Sequence, residues 1–173
     1  MTRVHSLFRV TVASVVTAMV LGACATGPRW QVGDTLDVIQ ARMGAPTLMC
    51  PDGVQGDRVV IWSQQPFGQQ VWAARVSAEG RLQTMEQMLT DAGFQRLAEG
   101  VWTPERLRCH FGPPAEIAQV GLPSTRQVVW SYRYLQEGVW HSLMHVYLGP
   151  DGDRVTHFHS GPDPMYERDF WWF

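Results

Sequence analysis

Four of the six histidines stand in two short stretches near the end of the chain, "VWHSLMHVY" and "VTHFHS". The first stretch holds His141 and His145, and the second holds His157 and His159. On β-strands this even spacing points both imidazoles of a pair to one face. If the turn "GPDGDR" closes a hairpin that pairs Val155 with the residue before Leu148, His145 faces His157. Imidazole is a good ligand for Zn²⁺ or Cu²⁺, so the histidines form either a metal site or a solvated sheet face.

Motifs of catalytic chemistry are absent from the sequence. It contains no nucleophile elbow, no glycine-rich phosphate loop and no HExxH pair. The acidic residues are scattered over turns and helix starts and form no paired constellation. The sequence therefore predicts that the protein is not an enzyme.

Composition and charge narrow the class of protein further. The chain has 173 residues, of which 45% are hydrophobic and 17% are charged, enough for a folded core. The formal net charge is -2, so no basic surface is expected that would neutralise nucleic-acid phosphates. We expect a globular protein that does not bind nucleic acid.

The N-terminal stretch has the organisation of a secretion signal. Arg3 and Arg9 precede an apolar run over 10–20, which is too short to span a bilayer as a mature helix. The following "LGAC" ends at Cys24 and resembles the lipobox of bacterial lipoproteins, whose cysteine is acylated and becomes the first mature residue. We therefore predict a signal peptide over 1–23, with the lipid on Cys24 as the one covalent group and no other cofactor.

The position of the lipid also predicts where the protein is held. Residues 24–31 form a short tether, so the folded part lies close to the membrane. Ala25 follows the acylated cysteine, where the resemblance to lipoproteins implies aspartate in proteins retained at the inner membrane. The sequence therefore predicts an outer-membrane lipoprotein that faces the periplasm.

An internal repeat organises the rest of the chain. "VVIWSQQPFGQQVW" starts at Val59, and the similar "QVVWSYRYLQEGVW" starts at Gln127. An offset of 68 residues aligns Thr35, Gly44, Pro46, Arg58, Val60, Trp62, Ser63, Val71 and Trp72 with Thr103, Gly112, Pro114, Arg126, Val128, Trp130, Ser131, Val139 and Trp140. This pattern is typical of a tandem duplication, with repeats over 32–88 and 89–161.

Each repeat is predicted to begin with a short capped helix. Thr35 and Thr103 are suited to cap the helix N-termini, and Gly44 and Gly112 to end the helices. Thr90 predicts an additional helix in the second repeat. Three strands follow in each copy, at 58–64, 70–78 and 81–88 and then at 126–134, 139–148 and 154–160. The expected fold class is α+β, a tandem repeat of a helix or helix pair packed on a three-stranded antiparallel sheet.

Cys50 and Cys109 remain once Cys24 is lipidated. The periplasm is oxidising, which favours a disulfide between them. Each cysteine occurs in only one repeat, so the repeat gives no geometric reason for them to meet. The sequence is consistent both with a disulfide between Cys50 and Cys109 and with two free thiols.

The helix motifs "VGDTLDVIQARMGAP" and "EGVWTPERLRCHFGPP" resemble the start of BamE/SmpA (OmlA-type) domains, small lipoproteins of the outer-membrane protein assembly machinery. The doubled arrangement is similar to the β-lactamase inhibitor protein fold. The first resemblance implies a protein-binding or scaffold role, accessory to outer-membrane protein assembly, with the barrel assembly machinery or other envelope proteins as partners. The second implies an inhibitor or sequestering module for a periplasmic protein. A periplasmic metal-binding protein that uses the histidines is a further alternative.

The C-terminal tail, 162–173, is rich in aromatic residues. It ends in Trp171, Trp172 and Phe173. Such side chains form an anchor for a binding partner, a belt at the membrane surface or a lid folded over a sheet. We treat these three residues as a candidate binding surface.

Overall fold

The computed structural model describes residues 30–53 and 56–167. The predicted signal peptide, Cys24 and the aromatic residues Trp171, Trp172 and Phe173 lie outside these ranges. Within them, no helix is long and apolar enough to cross a bilayer. Within these ranges, the residues from Gln31 onward belong to one compact unit.

Two four-stranded antiparallel sheets dominate the structure, and each is a meander in chain order. The first half contains α1 (Leu36–Met43), β1 (Leu48–Pro51), β2 (Arg58–Ser63), β3 (Val71–Val76) and β4 (Leu82–Gln87). The second contains α2 (Asp91–Gln95), a 3₁₀ turn (Arg96–Ala98), α3 (Pro104–Phe111), β5 (Glu116–Val120), β6 (Gln127–Gln136), β7 (Trp140–Tyr147), β8 (His157–Pro162) and α4 (Pro164–Glu167).

The predicted fold class is wrong. The structure is mostly β, with few short helices, and each sheet has four strands where the sequence predicted a helix packed on three. The missed strands are β1 and β5, which follow the prolines at 46 and 114. They lack a clear alternation of polar and apolar residues, and long-range pairing defines them, with Leu48 opposite Ile61 and Glu116 opposite Ser131.

The predicted helix caps are confirmed. The hydroxyls of Thr35 and Thr103 each accept the backbone N–H three residues further on. Gly44 and Gly112 end the helices at φ values of 84° and 74°, a region where a side chain would be strained. Both features depend only on neighbours within one helical turn.

The repeated tryptophans do not all occupy equivalent positions. Trp62 and Trp130 are both buried, at 6% and 4% exposure, on the second strand of their sheets. Trp72 lies opposite Trp62, but Val146 takes the corresponding place opposite Trp130. Because the β6–β7 hairpin is longer than its counterpart, Trp140 lies near its tip and is 64% exposed. The sequence match of Trp72 with Trp140 is therefore not a structural equivalence.

Helix α3 lies between the two sheets. A Cβ placed on Gly112, at its end, would lie 3.4 Å from the side chains of Ile61 and Val71 on the first sheet. On the other side, the Tyr132 hydroxyl of β6 donates to the Gly112 carbonyl at 3.4 Å. The rings of Phe111 and Tyr132 are 5.9 Å apart. Residues of both sheets thus share one hydrophobic core around this helix.

Helix α1 lies on the opposite face of the first sheet. Neighbouring residues of a strand point to opposite faces, so Trp62 points away from the side on which Ile61 meets α3. The Trp62 indole N–H donates to the carbonyl of Gly44, at the end of α1, over 2.9 Å. The order of layers is α1, first sheet, α3 and second sheet.

The loop after β2 connects the two sheets directly. The Gln65 amide donates to the backbone carbonyl of Arg133 at 2.8 Å and accepts the Arg133 N–H at 3.2 Å. Strand β5 pairs with β6 only as far as Ser131. The Gln65 side chain therefore supplies the hydrogen bonds that a neighbouring strand would make at Arg133.

His110, on α3, makes stability depend on pH. Its ring centroid lies 5.0 Å from that of Trp102 and 4.6 Å from that of Phe111. Burial, followed by the charges of Arg96 and Arg106, lowers the pKa of His110 to about 4. The unfolded chain therefore takes up this proton at higher pH than the folded one, and stability falls as pH drops from about 6.5 to 4.

We expect acidification from pH 7 to pH 4 to remove roughly 2 to 3 kcal/mol through His110. Urea unfolding at both pH values gives the free energy of unfolding that each protein loses between pH 7 and pH 4. The loss in the native protein minus the loss in His110→Gln is the contribution of His110. Equal losses in the two proteins would show that His110 is not held in its neutral form by the fold.

Candidate functional site

The four sequence-predicted histidines share the outer face of the second sheet. Trp130 and Tyr132 of β6 point into the core, so residues one position away point outward. The strand register places Tyr147 opposite His157 and His145 opposite His159, all on this outer side. His141 precedes His145 by four residues and points the same way. We call the set His141, His145, Tyr147, His157 and His159 the imidazole face.

The predicted pairing of His145 with His157 is wrong by two residues. The cause lies in the loop before β8, where the Val155 N–H donates to the carbonyl of Trp102 at 2.8 Å. Val155 therefore does not pair with Tyr147, and the ladder begins with Tyr147 opposite His157. A contact from a distant loop sets this register, and the hairpin sequence carries no signal for it.

Four rings on this face contact one another in a row, and Tyr147 stacks on both His157 and His159. The Tyr147 ring lies 3.9 Å from that of His157 and 5.4 Å from that of His159, centroid to centroid. His145 lies 5.4 Å from His159. The Ser131 hydroxyl is 2.9 Å from Nδ1 of His145 and fixes that ring. Tyr147 is part of the site, although the sequence analysis did not predict it. Its spacing of two residues from His145 on the same strand indicates that both side chains lie on one face.

The electrostatics of the face favour a neutral His145. Burial lowers the pKa of His145, and the neighbouring His159 lowers it further, while Glu116 partly opposes the shift. The ring is therefore uncharged at neutral pH and can stack as an aromatic group. This state suits a contact surface.

His141 stands apart from the other three histidines. Its ring stacks on Tyr166 at 3.8 Å, and its Nδ1 lies 2.8 Å from the Gln69 amide nitrogen. Across 30–53 and 56–167, no group of three or more His, Cys, Asp or Glu side chains has an arrangement that could hold a metal ion. In these ranges His145, His157 and His159 form a surface of contacting rings with Tyr147. His141 instead contacts Gln69 and Tyr166 of neighbouring segments.

Three segments meet at His141 and carry exposed apolar side chains. These are the loop after β2, the β6–β7 hairpin tip and the chain after β8, since Gln69 and Tyr166 both contact His141. We call their exposed apolar residues the hairpin-end patch: Phe67 (73% exposed), Val139 (64%), Trp140 (64%), Met165 (43%) and Tyr166 (40%). Only the tertiary fold brings these segments together, so sequence reasoning missed the patch.

Cys50 and Cys109 form a disulfide in the structure, with Cα atoms 5.7 Å apart. Cys50 lies on β1 and Cys109 on α3, so the bond fastens the central helix to the first sheet. This resolves the choice that the sequence left open. The bond is away from the imidazole face and supports the core.

Comparison with known proteins finds a distant structural similarity but no family. No family model matches the chain, and no curated protein matches it. Among solved structures it is similar to YjgB, a DUF4309 family protein of Bacillus subtilis, at 18% identity and a TM-score of 0.27. The alignment covers 75% of this chain and 79% of that one. The resemblance to BamE/SmpA domains stays a prediction.

Proposed function

We propose that the protein is a non-catalytic lipoprotein of the outer membrane that faces the periplasm and binds another envelope protein. The binding surface is the imidazole face together with the hairpin-end patch. The observations that support this most are the exposure of Trp140 and Phe67 at the hairpin end and the stacked rings of Tyr147 and His157 on the outer face, 3.9 Å apart.

The side chains of this surface are of the kind that binds proteins. Interface cores are enriched in Trp, Tyr, Phe and Met, and a few such residues provide most of the binding energy. Tyr147 is already held by stacking and His145 by the Ser131 hydroxyl, so little side-chain entropy is lost on binding. Trp140, near the hairpin tip, is the side chain that can enter a partner's pocket.

The lipid anchor is supported by the sequence motif that ends at Cys24. We expect Cys24→Ala to abolish acylation and to leave the protein out of the outer-membrane fraction, because the acyl chains supply the hold on the membrane. Radioactive palmitate labelling and fractionation of the envelope measure both effects. Cys50→Ala/Cys109→Ala is the matched control and should remain labelled. An unlipidated Cys24→Ala protein that stays in the outer membrane would contradict the proposed anchor.

The partner can be captured by placing a photocrosslinking phenylalanine analogue at Trp140 or His157. Ala41, exposed on α1 beyond the first sheet, is the control position. We expect Trp140 and His157, but not Ala41, to crosslink a component of the barrel assembly machinery. Capture of a soluble periplasmic hydrolase would favour the inhibitor alternative. Equal crosslinking from Ala41 would overturn the proposed binding surface.

A further inference from the structure

A cleft lies between the first sheet and α3. Its volume is about 530 Å³, within the size range of small-molecule sites. Its floor includes Val59, Ala73 and Met88 of the first sheet, and its wall includes Arg106 and His110 of α3. The cleft thus combines an apolar base with a polar wall.

The cleft carries an excess of positive charge. Three arginines and two acids line it, which gives 3 - 2 = +1. Arg75 pairs with Asp52 at 2.7 Å, and Arg96 pairs with Glu86 at 3.3 Å. Arg106 makes no ion pair within the described part of the chain. It lies over the Trp102 ring at 4.0 Å and donates to the Val101 carbonyl at 2.6 Å.

The ion pair between Arg96 and Glu86 can break at a small cost in free energy. Their side chains are 51% and 54% exposed, and exposed ion pairs contribute about 0 to 1 kcal/mol. A ligand anion can therefore take the place of Glu86 beside Arg96. The two guanidinium groups also act together on His110, which is on the same wall, since both Arg96 and Arg106 disfavour its protonated form.

We propose that this cleft binds a small organic carboxylate, with its charged group between Arg96 and Arg106 and its apolar body over Val59, Ala73 and Met88. Guanidinium groups bind carboxylates through paired, charge-assisted hydrogen bonds. The apolar floor selects a carboxylate that carries a hydrophobic part. The site is separate from the imidazole face and does not depend on the proposed partner.

The probe for this proposal is benzoate, with benzamide as its uncharged isostere. The full chain, solubilised in detergent and labelled with ¹³C-methyl methionine, reports binding through the methyl signal of Met88. Met144 lies in the core on the second sheet and serves as an internal reference. We expect benzoate to shift the Met88 signal and benzamide to leave it unchanged.

Removing one guanidinium should weaken benzoate binding about tenfold, since one charge-assisted hydrogen bond is lost. Arg106→Gln and Arg96→Gln test this separately; Arg96→Gln leaves the Arg106–Trp102 contact in place. Arg154→Gln, at an exposed site in the loop before β8, is the matched control and should bind as the native protein does. Equal shifts with benzamide, or unchanged affinity in both cleft variants, would overturn the proposal.

Discussion

Replacing both Cys50 and Cys109 with alanine should lower the free energy of unfolding by about 4 kcal/mol. The disulfide spans 59 residues of sequence, and breaking it gives that loop back its freedom in the unfolded chain. It also fastens α3 to β1, and α3 shares its core contacts with both sheets. A loss of this size is a large part of the stability of a typical domain.

Guanidinium unfolding of the native and double-alanine proteins, each with and without reductant, measures this effect. Reductant should lower the midpoint of the native protein towards that of the variant and leave the variant unchanged. Because Cys109 also lines the carboxylate cleft, the Met88 signal should broaden in the variant while Met144 keeps its shift. A native midpoint that does not respond to complete reduction would refute the stabilising role.

Asp163→Asn should cost about 3 to 5 kcal/mol, because it leaves Arg133 as a buried charge without its partner. The Asp163 side chain is fully buried, and that of Arg133 is 15% exposed. Oδ2 of Asp163 lies 3.1 Å from Nε of Arg133. The N–H does not point at this oxygen, so the contact is ionic and not a well-directed hydrogen bond. Asparagine keeps an acceptor for the N–H of Met165, which isolates the effect of charge.

Asp153→Asn is the matched control, because Asp153 is 61% exposed and lies 3.9 Å from Arg154. It should change the free energy of urea unfolding by less than about 0.5 kcal/mol. Replacing the buried pair together, by Arg133→Met with Asp163→Leu, should recover most of the loss. If Asp163→Asn costs no more than Asp153→Asn, the buried pair does not hold the chain after β8 to the sheet.

The buried pair also links stability to the proposed function. Asp163 fixes the start of the segment that carries Tyr166, since its carboxylate pairs with Arg133 of β6 at 3.1 Å. Loosening this segment removes Tyr166 from the His141 ring and disperses the hairpin-end patch. Crosslinking from Trp140 should therefore weaken in Asp163→Asn, while crosslinking from His157, further along the sheet, should change less.

Local interactions could be predicted from the sequence. The caps at Thr35 and Thr103, with their glycine stops, involve atoms within one turn of helix, so their residue types are sufficient. The common face of His145 and His141 follows from the alternation of a single strand. The offset of 68 residues correctly related the two capped helices.

The tertiary structure alone decided the number of strands, their register and the position of α3. Strands β1 and β5 form because they pair with β2 and β6. Val155 does not pair with β7 because its N–H donates to the carbonyl of Trp102. The disulfide, the hairpin-end patch and the cleft likewise join residues far apart in sequence. Sequence patterns report the preferences of neighbouring residues, whereas the free energy of these contacts depends on which distant backbone and side-chain groups the whole chain brings together.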